Sequence, residues 1–208
     1  MLYPSRFLEF LCRELSLPLN IEVEGWSGRF IEFFAFVVDN PDFALIEEMI
    51  GPSDAGTTGY TYLLWVRPDA IRGQLIFGAM NEGGSRRVAA MTADGRLDHY
   101  FVGGNGNRVA RVQSQTIARP GLWYHLAILR TAYGDRQLFI NGVLEASTEA
   151  STYGSPKFHR TLHLGVMDDE TPMEDLAPWC GGLSEVVVYS RALSEQEIHD
   201  LYVASQAR

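Results

Sequence analysis

The densest group of hard oxygen ligands in the chain is Asp168-Asp169-Glu170-Thr171-Pro172-Met173-Glu174-Asp175, with Trp179 just beyond it. Carboxylates at this density suit calcium or the hydroxyls of a sugar, and an indole adds a flat apolar face. Asp168, Asp169, Glu170, Asp175 and Trp179 are therefore the ligand-binding candidates. Their spacing is not that of an EF-hand, which wants alternate acids, a glycine and a terminal glutamate. A solvated loop between two late strands is the plainer reading of the same residues. Trp26, His99 and Tyr100 also offer stacking faces, against the default that such side chains pack inside.

Patterns that carry catalysis are missing. Glu-x-Asp-x-x-Glu, which would set an acid and a nucleophile on one face of a strand, does not occur. Neither does Gly-x-Ser-x-Gly or His-Glu-x-x-His, and the histidines at 99, 125, 159, 163 and 199 are scattered. The expectation is no enzyme, no catalytic residue and no metal site.

A different kind of recognition is suggested by the first residues. Phe7, Leu8, Leu11 and Leu15 mark one face of a helix from Ser5 to Ser16, which Pro18 stops. Such a stripe either packs on the body of the protein or docks into a groove of a larger assembly, with Phe7, Phe10, Leu11 and Leu15 as the docking candidates.

The elements that must position these residues are mostly strands. Short Val, Thr, Tyr and Phe segments separated by turns, with 20 glycines and 12% aromatic residues, favour an all-β chain. Strands are expected at Tyr60 to Val66, Gln74 to Ala79, Arg87 to Met91, Leu97 to Val102, Arg108 to Gln113, Trp123 to Arg130, Thr161 to Val166 and Leu183 to Tyr189. Ile21 to Glu24 and Arg29 to Val38 supply two earlier ones. Asn141-Gly142 joins Arg136 to Ile140 with Val143 to Ser147 in a hairpin, because both turn residues tolerate the positive φ that a two-residue turn requires. A short helix is expected after Asn40-Pro41, and another after Ser194, where Ser194 and Glu197 form a capping box.

Length and composition set the bounds. At 208 residues, 46% hydrophobic and 21% charged, the chain suits one folded domain. A net charge of −9 without a basic stripe argues against nucleic acid. The longest apolar run, Phe33 to Val38, is far short of the ~20 residues that span a bilayer. Arg6, Glu9, Arg13 and Glu14 interrupt the N-terminus, so a secretory signal is not expected. The two cysteines, Cys12 and Cys180, are no disulfide framework. They read as two free thiols or as one bridge.

In the second half, Trp123-Tyr-His125-Leu-Ala, Leu138-Phe-Ile-Asn-Gly142 and Leu164-Gly165 resemble the Trp-x-His-x-Ala strand, the Leu-Tyr-Val-Asn-Gly hairpin and the Ile-Gly strand end of the laminin-G-like jelly-roll family, of the concanavalin-A-like class. Gly182-Leu-Ser-Glu-Val-Val-Val-Tyr189-Ser-Arg-Ala-Leu193-Ser-Glu-Gln-Glu-Ile198 is similar to its closing segment. Leu64-Trp65-Val66-Arg67-Pro68 resembles its Trp-Val-Lys-Pro strand. Trp123 and Tyr189 sit in those strand motifs, which makes them core residues, and His125 reads as a strand histidine. The resemblance covers about Tyr60 to Val203; residues 1–20 and the helix after Asn40 have no counterpart in it.

The resemblance implies a two-sheet antiparallel β-sandwich, a jelly roll, with short helices at both ends: an extension at 1–20, then one sandwich over 21–208. It also implies recognition of glycan or protein surfaces, in some relatives with calcium held by two acidic positions. Ser184 stands at the second of these, which removes a carboxylate, so no cofactor is expected. The alternative role is a structural or accessory subunit of a larger assembly, docked through the N-terminal segment. The expected location is the cytoplasm or a surface or virion assembly.

Overall fold

A computed structural model of the protein describes residues 35–38, 59–80, 86–103, 107–149, 162–165, 176–189 and 191–206. The strands are β1 (Ala35–Val38), β2 (Tyr60–Pro68), β3 (Gln74–Met80), β4 (Arg86–Met91), β5 (Arg96–Val102), β6 (Arg108–Ile117), β7 (Tyr124–Arg130), β8 (Arg136–Ile140), β9 (Val143–Thr148), β10 (Leu162–Leu164) and β11 (Gly181–Tyr189), and the helix α1 is Glu195–Gln206. One sheet runs β1-β11-β2-β7-β8-β9 and the other β10-β3-β4-β5-β6. All pairings are antiparallel except β1 with β11, which is parallel. This is the expected jelly-roll sandwich. The helices expected at 5–16 and after Asn40, and the strand at Ile21 to Glu24, lie outside the described residues.

Alternation along the strands builds the core. Tyr60, Tyr62, Leu64 and Val66 of β2 point between the sheets, as do Tyr124, Leu126 and Ile128 of β7 and Leu138 and Ile140 of β8. They meet Ile76, Phe77, Ala89, Met91, Leu97 and Val112 from the facing sheet. The intervening residues Leu63, Ala127, Leu129, Phe139, Val187 and Tyr189 face outward and are covered by Leu193 and Ile198, at and within α1. Tyr189 is thus core, as expected.

The local signals form as read. Asn141 and Gly142 have φ of 51° and 73°, which is the turn that matches strand twist. A Cβ at Gly142 would come 3.0 Å from Tyr202 Cδ1, so the same glycine lets α1 lie against the hairpin. Ser194 and Glu197 make the capping box: Ser194 N–H donates to Glu197 Oε2 at 2.8 Å and Glu197 N–H to Ser194 Oγ at 3.2 Å. Thr61 ties the approach to this helix, its hydroxyl donating to Arg191 O and accepting from Leu193 N–H, both at 2.9 Å.

The free edges of the two sheets are joined by Glu145 of β9. Its carboxylate accepts from the N–H groups of Gln115 and Thr116 on β6, both at 2.8 Å, and from the Thr116 hydroxyl. Among the described residues Cys180 is the free thiol; Cys12, and with it the expected choice between two thiols and one bridge, lies outside them. No helix among the described residues is long and apolar enough to cross a membrane.

Candidate functional site

Of the sequence-derived ligand candidates, Asp168, Asp169, Glu170 and Asp175 lie outside the described residues, as do Phe7, Phe10, Leu11, Leu15 and Trp26. Trp179 is described and half-buried. Its Nε1 donates to Gly182 O at 3.2 Å and its backbone N–H to Gly165 O at 2.7 Å. The indole packs against the sandwich core. Trp179 is therefore a fastener for the start of β11, with its polar atom already engaged.

His99 and Tyr100, offered as stacking faces, are each only 1% exposed, so neither presents a ring to solvent. Tyr100 lies under the outer layer of the five-stranded sheet with Leu75, Val88 and Ala90. His99 points into the core, where its Nδ1 is 2.9 Å from Val88 O. A carbonyl only accepts, so Nδ1 carries the proton. Burial, with Arg136 and Arg87 nearby, pulls the imidazole down to about 3 and keeps it neutral.

Trp123 reverses its sequence-based reading as core. It is 41% exposed. The motif itself explains why: Tyr124, Leu126 and Ile128 point inward, so Trp123, His125 and Ala127 point outward. Ala127 is covered in the layer beneath α1, and the ring of His125 lies 5.8 Å from that of Tyr202. His125 is thus a buried strand histidine, as read. Trp123 lies one row beyond, where no such cover reaches.

Around Trp123 the strands place a defined set of groups. Register puts Gly182 beside Arg67 on neighbouring strands, and Val66 opposite Tyr124 puts Trp123 next to Arg67 on the other side. The Arg67 guanidinium carbon is 5.2 Å from the Trp123 ring centroid. A Cβ at Gly182 would come within 2.5 Å of Trp123 Cη2, so the indole lies across β11 only because residue 182 is glycine. Asp69 Oδ1 is 3.3 Å from Arg67 Nε, and both side chains reach solvent.

The surrounding loops are held by hydrogen bonds. Gly121 N–H donates to Pro68 O at 2.8 Å, and Asp69 N–H to Cys180 O at 2.9 Å. The buried Gln74 side chain bridges two loops, its Nε2 donating to Ala70 O at 2.8 Å and its Oε1 accepting from Cys180 N–H at 2.7 Å. Leu122, next to Trp123 in sequence, is 52% exposed, and Ile117 and Ile71, which flank Gly95, are 53% and 36% exposed.

Ser184, at the position where calcium-binding relatives of the resembled family have an acid, pairs across to Trp65 just before a bulge in β11. It brings a hydroxyl where a carboxylate would be needed. Among the described residues no group of three or more His, Cys, Asp or Glu side chains is placed to hold a metal.

Comparison with known proteins matches residues 48–199 to the family model described as the concanavalin A-like lectin/glucanases superfamily. No curated protein sequence matches. Among solved structures, the heptameric SAP-like pentraxin of Limulus polyphemus has a TM-score of 0.57 at 17% identity, covering 70% of each chain. The CBM40 domain of a Ruminococcus gnavus sialidase, bound to α2,3 sialyllactose, has a TM-score of 0.56 at 15% identity, over 71% of this chain and 84% of that one. Mouse laminin α1 domains LG4-5 give 0.52 at 16% identity, over 67% of this chain but 38% of theirs. At these identities the likeness is one of fold.

Proposed function

The chain belongs to the concanavalin A-like lectin/glucanases superfamily, and from that premise we propose that it is a non-catalytic recognition module whose ligand is a glycan. The observation that carries this reading is the end of the sandwich at Trp123. Trp123, 41% exposed, has the Arg67 guanidinium over its ring there, and Arg67 Nε is 3.3 Å from the exposed Asp69, with the exposed Leu122 next in sequence. Aromatic faces next to a few fixed polar groups are what recognition sites are built from. The structural neighbours support it, since one of them is a carbohydrate-binding domain with a sialylated sugar bound.

Catalysis would need acid and base groups converging on a cleft. Two buried titratable groups do not converge: His99 points into the core, and Asp98 is tied to Arg111 Nη2 at 2.7 Å on the outer side of the same sheet. Burial nonetheless raises the Asp98 carboxyl above its usual range.

A glycan array, run on the full chain with calcium and with chelator, tests the proposal. Binding to one or more glycans, accompanied by a raised melting temperature with the soluble sugar, is expected. Cleavage of the bound sugar would replace the module by an enzyme, and silence of the array in both conditions would remove glycan as the ligand.

A further inference from the structure

Resting on the recognition reading above, we infer that Trp123, Arg67 and Asp69 form a stacking site for a single pyranose ring, on the α1-bearing face of the six-stranded sheet.

The geometry of the indole makes the argument. The indole reaches across to the Gly182 backbone, the Arg67 guanidinium stands over its ring 5.2 Å from the centroid, and Trp123 remains 41% exposed. A part-exposed indole is matched by the C–H face of a pyranose, which is apolar, flat and of similar width. A pyranose also carries hydroxyls at its rim that both donate and accept. Asp69 supplies only acceptors and Arg67 only donors, and they stand 3.3 Å apart. Adjacent hydroxyls of one sugar are the complement of such a pair. A hydrophobic peptide side chain would use the indole and leave Arg67 and Asp69 unchanged.

The site is also held in place before any ligand arrives. Arg67 and Trp123 stand at the ends of hydrogen-bonded strands, and Asp69 follows through its bond to Cys180 O at 2.9 Å. A backbone fixed this way loses little freedom on binding. Gly182 lies inside β11 opposite Arg67, and a Cβ there would meet the Trp123 ring.

The test uses the full chain on a glycan array, followed by titration of a soluble hit read by tryptophan emission. The variants are Trp123→Ala, Asp69→Asn and Gly182→Ala, each with its melting temperature. Loss of roughly tenfold or more in affinity is expected for Trp123→Ala, the usual scale for an aromatic contact. Asp69→Asn should weaken binding by a smaller factor. Gly182→Ala should tilt the indole off β11 and reduce affinity while all four tryptophans remain.

If the wild-type chain binds a glycan and Trp123→Ala and Gly182→Ala bind it equally well, the site is overturned while the recognition reading stands. If the wild-type chain binds no pyranose, both fall. Should Trp123→Ala fail to fold, Asp69→Asn decides. That substitution lies on the surface, and unchanged affinity there, together with unchanged Trp123 emission on adding sugar, counts against the site.

Discussion

His99 stands inside the sandwich as a neutral imidazole, near Arg87 and Arg136, with Nδ1–H engaged by the Val88 carbonyl. Its folded value of about 3 lies below the ordinary 6.5, so below pH ~6.5 the unfolded chain takes up a proton that the folded chain refuses. Stability from this group is complete above pH ~6.5 and falls as the pH drops from there toward 3, by at most about 1.4 kcal/mol per pH unit. Thermal unfolding between pH 7.5 and 4 should therefore show a decline that starts near 6.5. His99→Gln, which cannot titrate, should flatten the part of the curve between about 6.5 and 5. A decline of the same slope in the variant would place its origin elsewhere. Other residues near His99 are equally unusual for an interior. Arg87, Arg130 and Arg136 are 2–4% exposed, with Arg87 stacked 4.4 Å from the centroid of Tyr60. Burial lowers Arg130 from its ordinary value. Arginine is depleted inside proteins, so nothing in the sequence marked these three.

At the scale of elements, α1 gives the clearest expectations. Glu197 accepts from Arg191 at 2.7 and 3.1 Å as well as from Ser194, and these bonds hold its carboxyl down at about 2. A depressed carboxylate stabilises the fold above its unfolded value near 4.5 and loses that contribution as the pH falls toward 2. Ser194→Ala should cost about 1 kcal/mol in denaturant unfolding, the usual value of an N-cap. Ile198→Ala, which empties a fully buried position over the six-stranded sheet, should cost about 3 kcal/mol. If Ser194→Ala proved the worse of the two, the helix would owe more to its cap than to its packing. This helix and the Asn141-Gly142 hairpin were legible in the sequence because both are written within a few residues. The parallel pairing of β1 with β11 was not, since it joins Ala35–Val38 to residues some 150 positions later, and nothing local specifies a partner. Trp123 was misread for a related reason. Its strand parity was visible in Trp123-Tyr-His125, yet exposure on that face depends on where α1 stops covering it. The carboxylates at 168–175 stood out by composition, whereas Arg67, Asp69 and Gly182 are ordinary residues that gain meaning only from register.

Across the whole molecule, the two ends of the sandwich differ in kind. The end at Tyr60 holds arginines inside, and the end at Pro68 carries apolar side chains such as Ile71 and Ile117 outside. Both depend on the sheets keeping their alignment. Glu145 bears on this directly, because β9 is the edge of one sheet and β6 the edge of the other, and its carboxylate satisfies two β6 N–H groups that an edge strand would otherwise leave to water. Glu145→Ala removes these bonds at a half-exposed site, where each is worth about 1 kcal/mol. The expected loss is about 2 kcal/mol in denaturant unfolding. Hydrogen exchange should localise the effect, with amides of 115 and 116 exchanging faster while those of β2 and β7 at the centre of the larger sheet stay protected. If Glu145→Ala speeds exchange uniformly instead, the two edges open only with global unfolding. In that case Glu145 adds to overall stability without acting as a separate clasp between the sheets.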